Sequence, residues 1–455
     1  MNAGDTAWVL TSAALVLLMT PGLALFYGGM VRSKSVLNMM MMSFGAIGVV
    51  GVLWALYGYS MAFGNDVGGG LLGDPSEFFG LSQLMGTNGL DGGFVADNLV
   101  FTVPSFAFVA FQAVFAIITV ALISGAIADR AKFGTWMVFT AIWATVVYFP
   151  VAHWVFAFDG AESELGGWIA NDLLAIDFAG GTAVHINAGA AALALALVLG
   201  KRTGWKRDPM RPHNLPLVMI GAGLLWFGWF GFNAGSALAA NGQAAEVFVN
   251  TLVATCAAML GWLVTEKVRD GHATSLGGAS GVVAGLVAIT PACSAVSPIG
   301  AILLGAVAGV LCALAVGLKY RFGYDDSLDV VGVHLVGGLV GTLAIGFVGT
   351  AAATAGVDGL FYGGGVDQLW RQAVGAGAVL AFSFVLTYVT GFALQKTVGF
   401  RLDEEDEVAG IDSVAHAESS YDLHQAPGVL RASASETLAA PAGSSSPTSK
   451  QKVEA

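Results

Sequence analysis

Charged residues are scarce in this sequence, and their scarcity narrows the possible classes of protein. Only 11% of its 455 residues are charged, whereas soluble globular domains carry about 25%. An ordinary soluble domain is therefore excluded. The net charge of −12 offers no basic excess for nucleic acid, so we expect no nucleic-acid partner.

Cysteine is also scarce, and the common catalytic motifs are absent. Cys256, Cys293 and Cys312 match no metal-ligand spacing, and an odd number gives no disulfide framework. The sequence has no phosphate-cradling loop, nucleophile elbow or cluster of carboxylates. We therefore expect neither an enzyme nor a bound metal or cofactor.

Apolar residues dominate what is present. They make up 56% of the chain and recur in runs near the 20 or so residues that a helix needs to cross a membrane. Eleven such segments lie at about 6–30, 39–63, 98–126, 133–157, 180–200, 214–235, 245–268, 275–290, 298–318, 330–350 and 370–396. The sequence therefore predicts an all-α integral membrane protein with eleven transmembrane helices.

Basic residues alternate between the loops that join these segments. Lys and Arg concentrate in cytoplasmic loops of membrane proteins, and here they occupy every second loop. The loops without either residue are 64–97, 158–179, 236–244, 291–297 and 351–369. The alternation predicts an N-terminus outside and a C-terminus inside. It also supports the short segment 275–290, because losing one crossing would break the pattern.

Two histidines stand out in this apolar background. His185 lies in the fifth segment and His334 in the tenth, each among small residues. Ionisable residues inside a membrane are costly and mark functional sites by default. Their matched positions predict two inverted repeats of five helices, about 6–200 and 214–350, followed by an eleventh helix at 370–396.

The two histidines predict a shared site on a substrate path. Burial disfavours a charged imidazole, and two neutral rings can share one proton, with one ring donating and the other accepting. Such a pair can offer hydrogen bonds or relay a proton. A space-filling role for each ring is the simpler alternative. A metal site is a poor one, because two histidines leave an incomplete ligand shell.

Aspartates precede both histidines. Asp177 lies eight residues before His185, and Asp329 lies five before His334. We interpret both as helix caps, since Asp is a favoured residue at that position. Asp177 can equally lend negative potential to a cation-binding vestibule, and the two roles are compatible.

Aromatic residues crowd three of the segments, at 111–115, 153–156 and 226–236. Each cluster alone is typical of an interfacial aromatic belt or of core packing. Together they can surround one site and hold a cation against their ring faces, with Ser236 accepting a hydrogen bond.

The chain changes character near residue 397. We assign 1–396 to the membrane domain and the acidic stretch 397–425 to a cytoplasmic regulatory tail. The last part, 426–455, is of low complexity and is expected to be disordered.

Several motifs together resemble the ammonium transporter (Amt/Mep/Rh) family, nearest its bacterial Amt branch. They are Pro21-Gly-Leu-Ala-Leu-Phe-Tyr-Gly-Gly29, Asp177-Phe-Ala-Gly-Gly-Thr-Ala-Val-His185-Ile-Asn187, Pro212-His-Asn-Leu-Pro216, Gly228-Trp-Phe-Gly-Phe-Asn-Ala-Gly-Ser236, Thr290-Pro-Ala-Cys293 and Asp329-Val-Val-Gly-Val-His334. The resemblance covers about residues 5–425. It implies a multi-pass homotrimer in the lipid of the cell membrane, with one pore per subunit. The implied substrate is ammonium or ammonia, with methylammonium as a further candidate, and the implied regulator is a cytosolic PII-type protein.

The resemblance also implies roles at an outer vestibule. Phe115, Phe156, Ser236 and Asp177 correspond to its substrate-binding residues, and Phe115 and Phe232 correspond to a stacked gate below it. Many bacterial relatives have tryptophan where this chain has Phe156. Phenylalanine is the weaker partner for a cation, so the resemblance implies a looser outer site.

Further in, the resemblance implies a pore lined by four residues. His185 and His334 correspond to the family's twin histidines, and Trp229 and Thr290 correspond to positions flanking the gate and the pore.

Two other functions stay open at this point. A sensor that binds ammonium and signals through its long acidic tail is one. An ion-coupled carrier for another small solute is the other, and Glu246 and Glu266 are its only candidate coupling carboxylates.

Overall fold

The computed structural model describes residues 1–85, 99–161 and 164–421. The predicted disordered tail, 426–455, lies outside these residues. The described chain is largely helical and includes a short antiparallel pair of strands, β1 (Leu99–Val100) and β2 (Val103–Pro104).

Long apolar helices form a bundle. Within the described residues, ten helices are long and apolar enough to cross a membrane, and one further apolar helix, Ser275–Ile289, is shorter, with 15 residues. They are α1 (Ala3–Met30), α2 (Val36–Phe63), α3 (Ser105–Ile127), α4 (Phe133–Phe156), α5 (Gly181–Leu199), α6 (Leu215–Gly235), α7 (Gly242–Asp270), α8 (Ser275–Ile289), α9 (Pro298–Phe322), α10 (Val331–Val348) and α11 (Asp367–Thr397).

The helices correspond one for one to the predicted apolar segments. The largest displacement is at α3, which begins at Ser105 rather than near 98, because the intervening residues form the strand pair. Hydropathy alone does not separate a strand entering the bundle from the first turn of a helix.

α1 and α6 run in opposite directions. The indole of Trp8 near the start of α1 donates to the Ala234 carbonyl at the end of α6. At the other end of α1, the Val31 carbonyl accepts from the backbone N–H of His213, just before α6. We call the end at which α1 begins the upper end of the bundle and the opposite end the lower end.

Side-chain caps set where several helices begin. Asn214, Asn241, Thr274 and Ser297 each accept a hydrogen bond from a backbone N–H three residues later, at the starts of α6, α7, α8 and α9. These caps satisfy N–H groups that the first turn of a helix leaves unpaired.

Small residues bring α7 and α9 into close contact. A Cβ atom at Gly305 would lie 2.1 Å from the Ala254 carbonyl oxygen, and one at Gly309 would lie 2.1 Å from that of Ala258. Only glycine fits at these two positions, and such contacts are typical of helices that pack in lipid.

Large apolar side chains cover much of the outside of the bundle. Val268, Ile299 and Leu260 are 81%, 71% and 59% exposed. A surface of this kind suits hydrocarbon, where helices satisfy their own backbone hydrogen bonds. The helices and this surface identify a multi-pass membrane protein.

The helices that carry the two histidines have irregular starts within the bundle. α5 opens with a π-helical turn over Gly181–Ile186, and α10 opens with one over Val331–Leu335. The backbone before each turn enters the left-handed region, with φ 111° at Gly180 and 64° at Asp329. Wide turns of this kind are rare and often occur at functional sites.

The described part of the tail packs against the lower end. A short helix, α12 (Glu404–Ala409), buries the Glu407 carboxylate, which accepts from the backbone N–H of Thr203 and from Arg401. The Asp412 carboxylate accepts the backbone N–H groups of Leu37 and Asn38 at the start of α2. The tail is therefore tied to the loop after α5 and to the start of α2.

Candidate functional site

The two histidines lie side by side in the middle of the bundle. The Nδ1 atoms of His185 and His334 are 3.2 Å apart, and both side chains are buried. A hydrogen bond between two ring nitrogens needs one donor and one acceptor, so one Nδ1 carries a proton while the other does not. Within the described residues, Nε2 of His185 has no hydrogen-bond partner. That nitrogen is therefore able to bond to a small polar molecule.

The histidines line a narrow apolar cavity. Its walls are Met19, Leu23, Phe26, Ile118, Leu122, His185, Leu225, Trp229, Phe232, Val283 and His334. It leaves about 10 Å³ for the centre of a water-sized molecule, and a single water needs about 10–15 Å³ by the same measure. The cavity fits one small molecule at a time and gives a hydrated cation no room.

Two stacked rings separate this cavity from the upper end. The Phe115 and Phe232 centroids are 4.2 Å apart, with planes inclined by 20°. Phe232 also stacks near His185, with centroids 6.1 Å apart. Both phenylalanines are buried, so a molecule passing from above to the histidines has to displace or thread between their rings.

A second cavity, which leaves about 50 Å³ for the centre of a water-sized molecule, lies above the stacked pair. It is lined mainly by aromatic rings, with two polar side chains: Phe101, Phe108, Phe111, Gln112, Phe115, Phe156, Phe158, Phe178, Ser236 and Leu238. The Ser236 hydroxyl donates to the Phe232 carbonyl at 2.8 Å, so its lone pairs remain able to accept. Ring faces and a hydroxyl acceptor are a suitable setting for a small cation with N–H donors.

Phe156 is part of this upper cavity, whereas Trp154 is not among its lining residues. The Trp154 indole donates to the Leu71 carbonyl and packs against Phe382 with centroids 4.6 Å apart. The two side chains therefore have different surroundings, because residues two apart on a helix lie on different faces.

Trp229 and Thr290 connect the wall of the histidine cavity to α8. The Trp229 indole stacks on His185 at 5.3 Å between centroids and donates to the Thr290 hydroxyl at 2.8 Å. That hydroxyl has acceptors in the Leu286 carbonyl and the Asn233 amide oxygen. The contacts hold the indole against the His185 ring, with the two planes inclined by 22°.

Asp177 caps the broken start of α5. Its Oδ1 accepts from the backbone N–H groups of Gly180 and Gly181, and its Oδ2 accepts from those of Thr182 and Ala183, all at 2.6–2.9 Å. The carboxylate is buried and fully occupied by the helix start. The predicted cap is present, and the N–H groups that it accepts begin at Gly180.

The prediction that Asp329 caps the helix of His334 is wrong, because Asp326 caps this helix, α10. The Asp326 carboxylate accepts from Val330 N at 3.1 Å and from Val331 N at 2.7 Å. Asp329 instead pairs with Lys319 Nζ at 2.6 Å. Burial raises the pKa of Asp326 to about 6.

Comparison with known proteins identifies the family of this chain. The model described as Ammonium Transporter Family matches residues 7–421. The chain belongs to the ammonium transporter family. The family is one of transporters rather than enzymes, which confirms that part of the prediction.

Relatives of this family member cover nearly its whole length. An ammonium transporter of Mycobacterium tuberculosis H37Rv is 65% identical over 439 residues, covering 94% of this chain and 92% of that protein. The crystal structure of Mep2 from Saccharomyces cerevisiae has a TM-score of 0.80 and 34% identity, covering 89% of each chain. A structure named Sensor Amt Protein has a TM-score of 0.81 and 29% identity, covering 90% of this chain and 98% of that one.

Sequence reasoning missed Asp326, whereas Phe111 belongs to the aromatic cluster 111–115 that it placed around one site. Phe111 lines the upper cavity and meets Phe115 edge to face at 4.9 Å. Its spacing of four residues from Phe115 on one helix was the available signal. Asp326 was overlooked because it stands between two other aspartates, Asp325 and Asp329.

Buried ion pairs hold the loops below the histidines. Arg202 binds Asp325 through Nε and NH2 and approaches Asp129 at 3.3 Å. Arg130 is buried beside Asp325, and burial lowers its pKa to about 10. The side chains of this network are buried. In the described ranges, no group of three or more His, Cys, Asp or Glu could hold a metal ion.

The remaining candidate carboxylates lie away from the histidine cavity. Glu246 accepts from the Thr354 backbone N–H, and Glu266 accepts from the Trp262 indole and from Thr274. Neither lines the histidine cavity or the cavity above it.

Proposed function

We propose that this protein conducts ammonium across the cell membrane by passing ammonia along the histidine cavity. The observation that carries the proposal is the hydrogen-bonded pair of His185 and His334, 3.2 Å apart in an apolar cavity below the stacked rings of Phe115 and Phe232.

The upper cavity is the recruitment site in this proposal. Ammonium is held there by the faces of Phe111, Phe115 and Phe156 and donates a hydrogen bond to Ser236. Cation–π attraction is worth about 0.5–2 kcal/mol per ring, depending on desolvation. Asp177 directly precedes Phe178, which lines this cavity. Its negative charge adds an electrostatic potential that favours a cation.

The cation gives up a proton above the histidines, and in this proposal the hydrogen-bonded His185–His334 pair relays that proton separately from ammonia, so that one positive charge crosses with each molecule. A charged group in the centre of a membrane costs several kcal/mol, and the narrow cavity has no room for a hydration shell. Neutral ammonia avoids that cost. It can accept from a ring N–H and donate to a ring nitrogen, and Trp229 and Thr290 keep the His185 ring in place for this exchange. Potassium has no proton to lose, so deprotonation supplies selectivity.

The topology in this proposal has eleven crossings in two inverted repeats followed by α11. The equal spacing of Asp177 from His185 and of Asp326 from His334, with both aspartates capping π-helical starts, supports the repeat. Basic residues at the lower end support a cytoplasmic location for that end. We further propose a homotrimer in the cell membrane and regulation by a PII-type protein, on the basis of family membership.

A sensor role is the second candidate. The observation that favours it is the tail, which is tied by Glu407 to the loop after α5 and by Asp412 to the start of α2. A change in the bundle is able to reach the tail through these contacts. A transporter and a sensor differ in flux, so the experiment below separates them.

The test is charge movement in proteoliposomes after a step of ammonium. The wild type is expected to give a current that His185→Asp abolishes while passive ammonia flux persists. A His272→Gln variant at an exposed loop is the control and is expected to match the wild type. Full current after apolar substitution of both His185 and His334 would refute the relay, and a wild type without flux would favour the sensor.

A further inference from the structure

α11 lies outside the two five-helix repeats, yet it bonds to both histidine helices. Gln372 reaches the connection before α5 and the backbone of α10, and Ser383 donates to the Asn187 carbonyl of α5 at 2.8 Å. Asn187 is two residues after His185. α11 is thus positioned to fix the two histidine helices relative to one another.

The Gln372 amide makes every hydrogen bond available to it. Its Nε2 donates to the Ile176 carbonyl at 2.7 Å and to the Thr342 carbonyl at 3.2 Å. Its Oε1 accepts from the Ile176 N–H at 2.6 Å and from Gln368 at 2.9 Å. A side-chain amide has two donors and two acceptor lone pairs, so all four are used. The side chain is fully buried, which makes each lost bond costly.

One of these bonds acts directly on the cap of α5. The Ile176 carbonyl belongs to the peptide group that joins Ile176 to Asp177. By holding that peptide group, Gln372 fixes the direction in which the Asp177 carboxylate leaves the backbone. The carboxylate in turn holds the first N–H groups of the helix that carries His185.

Neighbouring side chains of α11 hold the same connection. Arg371 donates to the Leu173 carbonyl at 3.0 Å, and Gln368 donates to the Leu174 carbonyl at 3.4 Å. Leu174 has φ 57°, a left-handed conformation that a leucine adopts at a cost. Bonds from α11 to the carbonyls of Leu173, Leu174 and Ile176 thus stabilise the connection around this strained residue.

The other bond of Gln372 reaches the second histidine helix. Thr342 lies on α10, eight residues after His334, and its hydroxyl is 3.4 Å from that of Thr182 on α5. A single buried amide therefore bridges the cap of one histidine helix and the backbone of the other.

We propose that Gln372 is a positioning residue that sets the distance between His185 and His334. It contacts neither histidine and acts through Ile176, Asp177 and the α10 backbone. This inference rests on the proposed function, because the histidine pair has to conduct for its spacing to matter.

The test compares Gln372→Leu with Thr387→Val in proteoliposomes, with currents normalised to reconstituted protein. Thr387 is a buried residue of the same helix that accepts from the Trp143 indole and bonds to neither histidine helix. Gln372→Leu is expected to lower the maximal current at least tenfold while the half-saturating ammonium concentration stays within twofold, because Gln372 hydrogen-bonds to Ile176, Thr342 and Gln368 and to none of the residues that line the upper cavity. Thr387→Val is expected to stay within twofold of wild type in both. Equal currents in the two variants would overturn the proposal.

A second variant keeps the size of the side chain and tests the hydrogen bonds. In Gln372→Glu the ionised carboxylate has no donor for the Ile176 and Thr342 carbonyls, whereas the protonated acid has one. The ratio of its current to the wild-type current at the same pH is expected to be at least three times higher at pH 5.5 than at pH 8. A ratio that does not change with pH would mean that residue 372 only fills space. A wild type without current would instead refute the proposed function itself.

Discussion

Asp177 and Asp326 each stand eight residues before a buried histidine, and each caps the broken helix that carries it. Asp177 accepts four backbone N–H groups at the start of α5, and Asp326 accepts two at the start of α10. One cap is at the upper end and the other is at the lower end. The two histidine helices therefore enter the bundle from opposite ends by the same local device.

The unequal caps predict unequal effects of substitution. Asparagine keeps one acceptor oxygen, so Asp177→Asn leaves two backbone N–H groups facing an amide NH2, whereas Asp326→Asn leaves one. Hydrogen bonds to a charged group contribute about 1.5–3 kcal/mol each. We expect Asp177→Asn to lower the thermal unfolding midpoint of the purified protein by about twice as much and to reduce the current more strongly.

Asp172→Asn is the matched control, because Asp172 is an exposed aspartate just before the same helix. It is expected to leave the midpoint and current unchanged. Equal losses in Asp177→Asn and Asp326→Asn would contradict the difference between the caps.

Much of the bundle could be predicted because hydrophobic runs directly reflect helices that face lipid. Most boundaries fell within a few residues, since caps such as Asn241 and Ser297 are visible in the sequence. The pairing of His185 with His334 was expected from their matched segments. These predictions needed only local pattern and chain direction.

Other parts of the site depend on partners that are distant in sequence. Three aspartates lie within 325–329, and local pattern does not tell which one caps α10. Arg202 engages Asp325 and Lys319 engages Asp329, which leaves Asp326 for the helix. The role of Gln372 likewise appears only when α11 is packed against α5 and α10.

Replacing Phe156 by tryptophan is expected to tighten the upper cavity. Phe156 lies 6.5 Å from Phe115 between centroids, edge to face, and contributes one wall. Tryptophan is the better cation–π partner, and a gain of about 0.5–1 kcal/mol corresponds to a twofold to fivefold lower half-saturating concentration. The measurement is uptake of labelled methylammonium over a range of concentrations.

Trp154→Phe serves as the control, because Trp154 does not line the upper cavity. Its half-saturating concentration should match wild type. An unchanged or higher half-saturating concentration in the Phe156→Trp variant would mean that this ring does not contact the cation.

Thr290→Val is expected to disturb the His185 ring without touching it. The change leaves the buried Trp229 indole N–H without its acceptor, which costs about 1–3 kcal/mol. The indole that stacks on His185 is then free to tilt, and we expect the maximal current to fall about tenfold. Thr290→Ser keeps the hydroxyl and should restore most of it; a serine variant as impaired as the valine variant would assign the loss to the methyl group.

The lower network predicts how stability depends on pH. Burial by itself raises the pKa of Asp325, but hydrogen bonds from Arg202 and the charge of Arg130 outweigh it, so the pKa lies below its ordinary value. A carboxylate with a lowered folded-state pKa contributes stability that is present above its unfolded pKa of about 3.9 and is lost as the pH falls through the folded value. Asp325→Asn removes the charged partner of the buried guanidinium groups of Arg130 and Arg202. We expect this loss to lower the free energy of unfolding by about 3–5 kcal/mol.

Thermal unfolding of wild type and Asp325→Asn from pH 8 to pH 3 measures this contribution. The gap between their midpoints is expected to be constant from pH 8 to pH 5 and to narrow below pH 4, where the wild-type carboxylate begins to protonate. Asp270→Asn is the matched control, since its ion pair with Arg269 is 41–49% exposed and such pairs contribute less than about 1 kcal/mol. A gap that stays constant down to pH 3 would mean that the charge of Asp325 is not what stabilises the lower loops.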